Sequence, residues 1–179
     1  MRYVWAQHDA YFGPGRALLP RLAMALCRPY LQAWDVRSAQ GVHHFVANSH
    51  NIAAKIRKLY GPEATTIYPP VELERFSLDA KLSSYCLAVA ALVPYKRIDL
   101  GIDAFNQLQL PLKIVGDGPL RAQHEQGAGP TIKFLGWVDG DALAQLYAPC
   151  RALVFPGEEN FGIVAVEAQA SGRPVIAFG

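Results

Sequence analysis

The hydrophobic positions from Tyr85 onward fall into short apolar runs separated by amphipathic stretches. The apolar runs are Cys86–Leu92, Leu112–Val115, Ile132–Leu135, Ala152–Phe155 and Val175–Phe178. The amphipathic stretches lie near Ile98–Leu108, Leu120–Glu125, Ala142–Tyr147 and Gly162–Ser171. Strands that are apolar on both faces and alternate with helices are typical of a parallel sheet covered on both sides. Because such crossovers are right-handed, the pattern predicts an α/β fold with a Rossmann-like, doubly wound parallel sheet.

The first third of the chain is less regular. Residues 13–40 predict a helix that Pro20 and Pro29 start or kink. A short strand is expected at Val42–Ala47, and the helix Asn51–Tyr60 is expected to follow it. This part of the chain therefore predicts a second, smaller α/β unit.

Two consecutive prolines mark a boundary between the two parts. They follow Thr65–Tyr68, a β-branched segment that predicts a strand, and they prevent that strand from continuing. We therefore predict a first domain over 1–68, a linker over 69–82 and a second domain over 83–179.

The composition excludes several classes of protein. The chain has 179 residues, of which 51% are hydrophobic and 18% are charged, and this suits a folded chain with its own core. Its three cysteines, Cys27, Cys86 and Cys150, are far apart, which predicts reduced thiols and a cytoplasmic location rather than a disulfide scaffold. No apolar run approaches the ~18 residues of a membrane span, and the opening residues do not resemble a secretory signal.

Charge is distributed unevenly along the chain. Residues 1–60 carry eight Lys or Arg and two Asp or Glu. Residues 61–179 carry nine Lys or Arg and thirteen Asp or Glu. The basic first third is also rich in aromatics. It suits either a contact with anionic lipid or polyphosphate, or a solvated helical face beside core aromatics. The basic excess is too small to favour nucleic acid binding.

The segment Pro156–Gly179 carries the densest set of candidate binding residues. Glu159 follows an apolar strand, and Glu167 lies inside the helix that begins near Gly162. Amides at a helix start favour a phosphate, and carboxylates bind vicinal hydroxyls. The spacing suits a nucleotide sugar, with the pyrophosphate at the helix start and a sugar at each acid. It is equally compatible with acids that only complement the helix dipole or face solvent.

Two further loops follow strands of the predicted sheet. The loop VPYKRI contains Lys96 and Arg97, which suit a diphosphate or form a solvated pair. The loop VGDGPL begins at Val115 and resembles part of a dinucleotide fingerprint, which leaves a nicotinamide-dependent dehydrogenase as an alternative. The third glycine is missing, however, and a tight turn in which Pro119 starts a helix explains the loop better. The histidines are scattered, so no metal site is expected.

Several segments, in order along the chain, resemble glycosyltransferase family 4, whose members are retaining nucleotide-sugar enzymes with the GT-B fold. They are ANSHNIAAKI (47–56), IYPPVELERF (67–76), VAALVPYKRIDLGIDAF (89–105), LKIVGDGP (112–119), IKFLGWV (132–138) and ALVFPGEENFGIVAVEAQASGRPVIAFG (152–179). The most specific feature is the pair of glutamates with seven residues between them, including Phe-Gly-Ile. VPYKRID, FPGEENFG and the opening MRYVW are similar to bacterial mannosyltransferases of surface-polysaccharide synthesis, which implies GDP-mannose as the donor.

The resemblance implies a role for each candidate residue. Glu159 would hold hydroxyls of the donor sugar, and Lys96 would bind the pyrophosphate and stabilise the leaving group. Glu167 would bind the ribose hydroxyls, and Val138 would lie near the base. The other implied donor-binding residues are Arg97, Gly116, Asn160, Phe161, Gly162 and Ile163. Members of the family act on saccharide or lipid-linked acceptors, need no metal or other cofactor, and let the leaving phosphate take the acceptor's proton.

The sequence departs from the family pattern in two ways. The family usually has an arginine shortly before the lysine, where this chain has Ala91, and the missing cation implies a penalty of roughly 2–4 kcal/mol on the transition state. The family also has a complete acceptor-binding domain before the donor domain. By that comparison, 1–68 is the C-terminal remnant of the acceptor-side domain. The segment 83–179 is then the donor domain, truncated before its last strand and helices.

Two hypotheses about function follow from the resemblance. The first is a hexosyltransferase that transfers mannose from GDP-mannose with retention. The second is a non-catalytic, truncated or split-gene fragment that keeps only a donor-nucleotide-binding or partner-binding role, because catalysis needs both reactants in one cleft. Its partner in trans would be the missing N-terminal half. Under either hypothesis we expect a cytoplasmic protein with at most a peripheral contact at the inner face of the membrane.

Overall fold

The computed structural model describes residues 2–15, 17–78 and 81–178. Residues 79 and 80 of the predicted linker therefore lie outside the described residues, as do 1 and 16 of the predicted first domain and 179 of the second. The chain divides into two compact units, Met1–Pro69 and Pro70–Gly179. The division falls between the two consecutive prolines.

The first unit is a small α/β arrangement. After a 3₁₀ helix (Arg2–Val4) it contains α1 (His8–Phe12), α2 (Leu18–Ala39), β1 (Phe45–Ala47), α3 (His50–Tyr60) and β2 (Ala64–Thr66). The strands β1 and β2 pair in parallel. The Ser49 side chain accepts a hydrogen bond from the Ile52 amide at the start of α3, and Gly61 ends that helix with a φ of 96°. The predicted strand–helix–strand order is thus confirmed, with shorter strands.

Helix α2 differs from the interrupted helix that the prolines predict. It is continuous over 22 residues, with Pro29 inside it. The sequence places Leu18, Leu22 and Leu26 on one face of this helix, and that face is exposed rather than packed: Leu26 has 83% of its surface accessible. Tyr30 and Trp34 are exposed as well, so these aromatics are not core residues.

The polar side of α2 packs inward instead. The Arg28 Nε and the Gln32 amide nitrogen donate to the Val4 carbonyl oxygen at 3.1 and 2.8 Å. Asp35 is buried and accepts 2.8 Å hydrogen bonds from the Trp5 indole and the Tyr60 hydroxyl. Burial opposes the charged form of Asp35, but these hydrogen bonds hold the pKa of its carboxyl below the ordinary value. Backbone and aromatic hydrogen-bonding partners therefore fix the orientation of this helix.

The second unit is the predicted doubly wound domain. Its elements are β3 (Cys86–Val89), α4 (Ile98–Leu108), β4 (Leu112–Val115), α5 (Arg121–Gly127), β5 (Ile132–Gly136), α6 (Gly140–Tyr147), β6 (Leu153–Phe155), α7 (Ile163–Ala170) and β7 (Val175–Ala177). The strand order is β5-β4-β3-β6-β7, and the neighbouring strands are parallel. The α/β, Rossmann-like fold expected from the sequence is confirmed. Helix α5 begins at Arg121, two residues later than a start at Pro119 predicts.

Alternate residues of the central strands face opposite sides of the sheet. One core cluster includes Ala88, Ile114 and Val154, together with Ile98, Ile102 and Phe105 of α4. The other includes Leu87, Val115 and Leu153, together with Tyr147 of α6 and Ala168 of α7. The period of two explains why these strands are apolar throughout, since both faces are covered.

The strand order reverses between β3 and β6. The chain runs outward from β3 through β4 to β5, and then returns to place β6 on the other side of β3. Ligands of open α/β sheets bind outside the carboxyl ends of the strands at such a switch point. The loops that follow β3 and β6 are therefore where a site is expected.

The segment that precedes β3 packs against the second unit. It contains a 3₁₀ helix (Leu73–Arg75), and the Arg75 guanidinium contacts Glu72 at 2.7 Å and Asp141 of α6 at 3.6 Å. The contact with Asp141 attaches a residue that was predicted as linker to the surface of α6. Within the described part of the chain, no helix is long and apolar enough to cross a membrane.

Candidate functional site

The carboxyl ends of β3 and β6 bring Lys96 and Glu159 together. Lys96 ends a 3₁₀ helix (Pro94–Lys96) that follows β3, and Glu159 lies in the loop after β6. Their Nζ and Oε1 atoms form an ion pair, and the two side chains are only 18% and 22% exposed. A partly desolvated pair attracts more strongly than a surface pair. A ligand that uses both groups must therefore separate or bridge them.

Gly157 makes this meeting of the two loops possible. A Cβ atom at Gly157 would lie 2.7 Å from both the Cα and the carbonyl oxygen of Lys96, a distance that real Cβ atoms do not adopt. Only glycine lets the loop after β6 approach the backbone of the loop after β3 so closely. Sequence analysis missed this residue. The glycine itself was visible between strand and acids, but nothing in the sequence indicated which backbone it approaches.

A small apolar cleft lies behind the ion pair. It is lined by Val89, Ala90, Lys96, Ile98, Val154, Phe155, Pro156 and Gly157. These residues belong to β3 and β6, to the loops that follow them and to the first turn of α4. Most of the lining is apolar, and Lys96 is its charged member.

The start of α7 offers backbone amides beside these charges. Gly162 precedes the helix in the left-handed region, with a φ of 83°, and a Cβ there would lie 3.3 Å from the Phe155 ring. The N-cap residue, being glycine, supplies no side-chain cap, and the Ala165 amide donates to the Gly162 carbonyl oxygen at 2.9 Å. Ile163, the first helical residue, is exposed, whereas Asn160 and Phe161 are half-buried in the preceding loop. This arrangement suits an anion at the helix start.

Glu167 lies one and a half turns into α7 and is fixed by a buried tyrosine. The Tyr147 hydroxyl donates a 3.0 Å hydrogen bond to the Glu167 Oε2. Tyr147 is fully buried, and burial together with the Glu167 charge raises the pKa of its phenol far above the ordinary value. The phenol therefore stays protonated and acts as a donor. Glu159 and Glu167 are both partly buried, so neither is a fully solvated acid, while the alternative that Glu159 complements the helix dipole stays open.

Arg97 lies apart from the ion pair. Its backbone is in the left-handed region at a φ of 50°, and its guanidinium binds both carboxylate oxygens of Asp99 at 3.1–3.2 Å. Asp99 is in the first turn of α4, where an acid also complements the helix dipole. The structure thus does not bring the Arg97 side chain together with Lys96 and Glu159, and its donor-binding role stays a prediction.

Gly116 and Val138 have structural roles that the sequence did not indicate. Gly116 has a φ of 125°, and any Cβ there would clash with the Ala90 carbonyl oxygen. It therefore allows the loop after β4 to pack against the extension of β3. Val138 packs against the core cluster that contains Tyr147. Their nucleotide-binding roles also stay predictions.

Two further observations concern charge at this edge of the sheet. Ala91, at the position where the family resemblance predicts an arginine, is exposed just after β3. Among the described residues, no group of three or more His, Cys, Asp or Glu side chains is arranged to hold a metal ion. The cation present at the site is that of Lys96.

Comparison with known proteins identifies similar sequences and folds. The family model described as "Glycosyl transferases group 1" matches residues 83–179. The O-antigen chain mannosyltransferase C of Escherichia coli is 28% identical over 164 residues, covering 82% of this chain and 44% of that protein. A GDP-mannose-dependent alpha-mannosyltransferase of Mycobacterium tuberculosis is 45% identical over 92 residues, covering 50% of this chain and 24% of that protein.

A solved structure extends the similarity to the fold. The S. aureus protein TarM, in complex with Fondaparinux, alpha-GlcNAc-glycerol and UDP, superposes with a TM-score of 0.70 at 18% identity, covering 82% of this chain and 32% of that chain. At this identity the similarity concerns the fold alone. The chain spans less than half the length of each of these relatives.

Proposed function

The chain belongs to the glycosyl transferases of group 1, and from that premise we propose that it carries the donor site of a family 4-type retaining hexosyltransferase that uses GDP-mannose. The observation that carries the proposal is the convergence of Lys96, Glu159 and the start of α7 at the switch point of the sheet. A cation, a hydroxyl acceptor and helix-start amides are groups that suit a nucleotide diphosphate sugar.

Each group has a distinct task in the proposed reaction. Lys96 and the amides at the start of α7 bind the pyrophosphate and stabilise the charge that develops on the leaving phosphate. Glu159 accepts hydroxyls of the hexose, and Glu167 accepts the ribose hydroxyls. The acceptor attacks from the side of the leaving group, whose phosphate oxygen takes the acceptor's proton, so the configuration is retained. Because Lys96 and the amides neutralise the diphosphate, we expect no metal or other cofactor.

The choice of donor rests on relatives and on the sequence. The similar proteins include an O-antigen chain mannosyltransferase and a GDP-mannose-dependent alpha-mannosyltransferase. They support mannose as the hexose, GDP as the nucleotide, and a polysaccharide or lipid-linked acceptor. A cytoplasmic location, with at most a peripheral membrane contact, fits such an activity.

The first unit supports a further part of the proposal, a partner polypeptide. The outward face of α2 exposes Leu22, Leu26 and Trp34, and the parallel pair β1–β2 forms a sheet of only two strands among the described residues. Parallel sheets are ordinarily covered and extended by further strands and helices. We propose that the remaining part of an acceptor-binding domain covers this face, supplied in trans if it is not on the same chain.

Calorimetry on the 179-residue chain tests the donor site. We expect GDP to bind, and GDP-mannose to bind more tightly. Glu167→Gln should weaken both ligands about tenfold, because both carry the ribose. Glu159→Gln should remove the preference for GDP-mannose and tighten GDP several-fold, since Lys96 loses its competing carboxylate.

Glu125→Gln is the matched control. It removes an exposed carboxylate that pairs with Arg121 within α5, and it should leave both affinities unchanged. If a folded chain binds neither GDP nor UDP at millimolar concentration, the proposed donor site is wrong. If UDP binds and GDP does not, the family 4-type site stands and the choice of GDP-mannose is wrong.

A further inference from the structure

Tyr147 is a polar group in an otherwise apolar core. It ends α6, its side chain has no accessible surface, and its ring packs edge-on against Phe76 at 5.9 Å between centroids. The surrounding core cluster also includes Leu87, Val115 and Leu153 of the central strands. A buried hydroxyl is costly unless it is hydrogen-bonded, and phenylalanine would fill the same volume without that cost. The hydroxyl therefore calls for an explanation beyond packing.

The partner of this hydroxyl is the carboxylate of Glu167. The Tyr147 hydroxyl donates to Oε2 at 3.0 Å, across two helices that are adjacent on one face of the sheet. Burial and the nearby carboxylate raise the pKa of the phenol, so it keeps the proton that it donates to Glu167. A hydrogen bond from a neutral donor to an ionised acceptor is stronger than one between neutral groups. This bond fixes the plane of the carboxylate and leaves its remaining lone pairs to accept from a ligand.

The backbone of Glu167 is held as well. The Ser171 hydroxyl, which is fully buried, donates to the Glu167 carbonyl oxygen at 3.1 Å, and Ala168 packs in the core with no exposed surface. The backbone and one carboxylate oxygen of Glu167 are therefore both anchored by buried groups. Such a side chain loses little conformational entropy when it binds a ligand.

We propose that Tyr147 is a positioning residue for the donor ribose, acting through Glu167. The proposal rests on the proposed function, in which Glu167 accepts the two ribose hydroxyls. By holding Oε2 from inside the core, Tyr147 orients the carboxylate toward the carboxyl edge of the sheet before the nucleotide arrives. Tyr147 touches no reacting atom, and its contribution is to affinity for the ribose rather than to the chemical step.

The experiment compares GDP with 2′,3′-dideoxy-GDP by calorimetry on the full chain. Tyr147→Phe keeps the ring and its packing and removes only the hydroxyl. We expect it to weaken GDP about tenfold and to change the affinity for the dideoxy nucleotide less than twofold, because that ligand has no hydroxyls for Glu167. A purely structural role would weaken both nucleotides equally.

Tyr85→Phe is the matched control. Tyr85 is also buried and donates to the Leu146 carbonyl oxygen at 2.9 Å, so its substitution likewise removes one buried hydrogen bond from the same unit. Thermal melts should show destabilisation of both variants, while only Tyr147→Phe should lose ribose-dependent affinity. Equal losses for both nucleotides, or the same loss in Tyr85→Phe, would overturn the positioning role and leave the donor site standing. A wild-type chain that binds neither GDP nor UDP would instead overturn the donor site, and this inference with it.

Discussion

The side chains of Lys96 and Glu159 illustrate how a single residue pair can serve both stability and binding. Each is about four-fifths shielded from solvent, so removing either one leaves the other charge poorly solvated. A nucleotide sugar offers each a replacement, since its diphosphate can accept from the lysine and its hydroxyls can donate to the glutamate. Under the proposed function, donor binding is therefore an exchange of partners rather than the filling of an empty cavity.

On the proposed function, the absence of a cation at Ala91 lowers the affinity of the site for a diphosphate. The family resemblance predicts a second cation at the position of Ala91, and the Arg97 guanidinium is engaged by Asp99. We expect Ala91→Arg to tighten GDP binding about tenfold, because a second guanidinium would share the diphosphate charge. Calorimetry at fixed ionic strength measures this directly.

The control for net charge is Ala104→Arg. Ala104 is exposed on α4, away from the loops of the site, and the substitution adds the same charge to the same unit. We expect no change in its affinity for GDP. If both variants tighten binding equally, long-range attraction explains the effect and Ala91 does not lie at the diphosphate.

At the scale of elements, the site depends on how closely two strand-to-helix loops approach. The loop after β6 reaches the loop after β3 because Gly157 has no side chain to meet the Lys96 backbone. The loop then turns through Gly162 in the left-handed region, which sets the direction of α7 and its first amides. Two glycines therefore determine where one charged pair and one helix start come together.

Gly157→Ala should separate these two loops. The added Cβ has backbone atoms rather than a flexible side chain as its neighbours, so the loops must move apart. We expect a loss of about 1–3 kcal/mol in the free energy of unfolding. Affinity for GDP should fall as well, because Lys96 moves away from the start of α7. Chemical denaturation and calorimetry on one protein preparation report both effects.

Gly127→Ala provides the comparison. Gly127 is the last residue of α5, and a Cβ there meets nothing within 4 Å. This variant should keep its affinity for GDP and be at least as stable as the wild type, since alanine favours the helix. A Gly157→Ala chain that behaves like Gly127→Ala would show that the close approach is not needed.

Much of this element structure could be predicted from the sequence because its causes are local. Runs such as Leu112–Val115 and the amphipathic Ile98–Leu108 carry their period in the residues themselves, and both were found with the predicted bounds. The orientation of α2 could not be predicted, because it depends on distant partners such as the Val4 carbonyl oxygen. The pairing of Tyr147 with Glu167 joins two helices and leaves no periodic signal either. A local sequence pattern predicts helices and strands, but it does not predict which side chains of different elements contact each other.

At the scale of the whole molecule, the proposed donor site belongs entirely to the second unit. Its cation, acids and helix start all lie between Pro94 and Ala170, so nucleotide binding needs no residue of the first unit. Sugar transfer has a stricter requirement, because donor and acceptor must be held together in one geometry. The apolar face of α2 in the first unit is where we propose that an acceptor-binding partner packs.

This separation predicts that binding and transfer respond differently to a change on α2. Leu26→Glu places a charge on the exposed apolar face, and Leu108→Glu places one on a similarly exposed leucine at the end of α4. Both variants should bind GDP as the wild type does. Mass spectrometry should detect hexose transfer only when the proposed acceptor-binding polypeptide is added to the chain. Leu26→Glu should abolish this transfer and Leu108→Glu should not, because a buried unpaired carboxylate opposes docking.

Equal transfer by the 179-residue chain alone would show that no partner is required, and would make the exposed face of α2 irrelevant to activity.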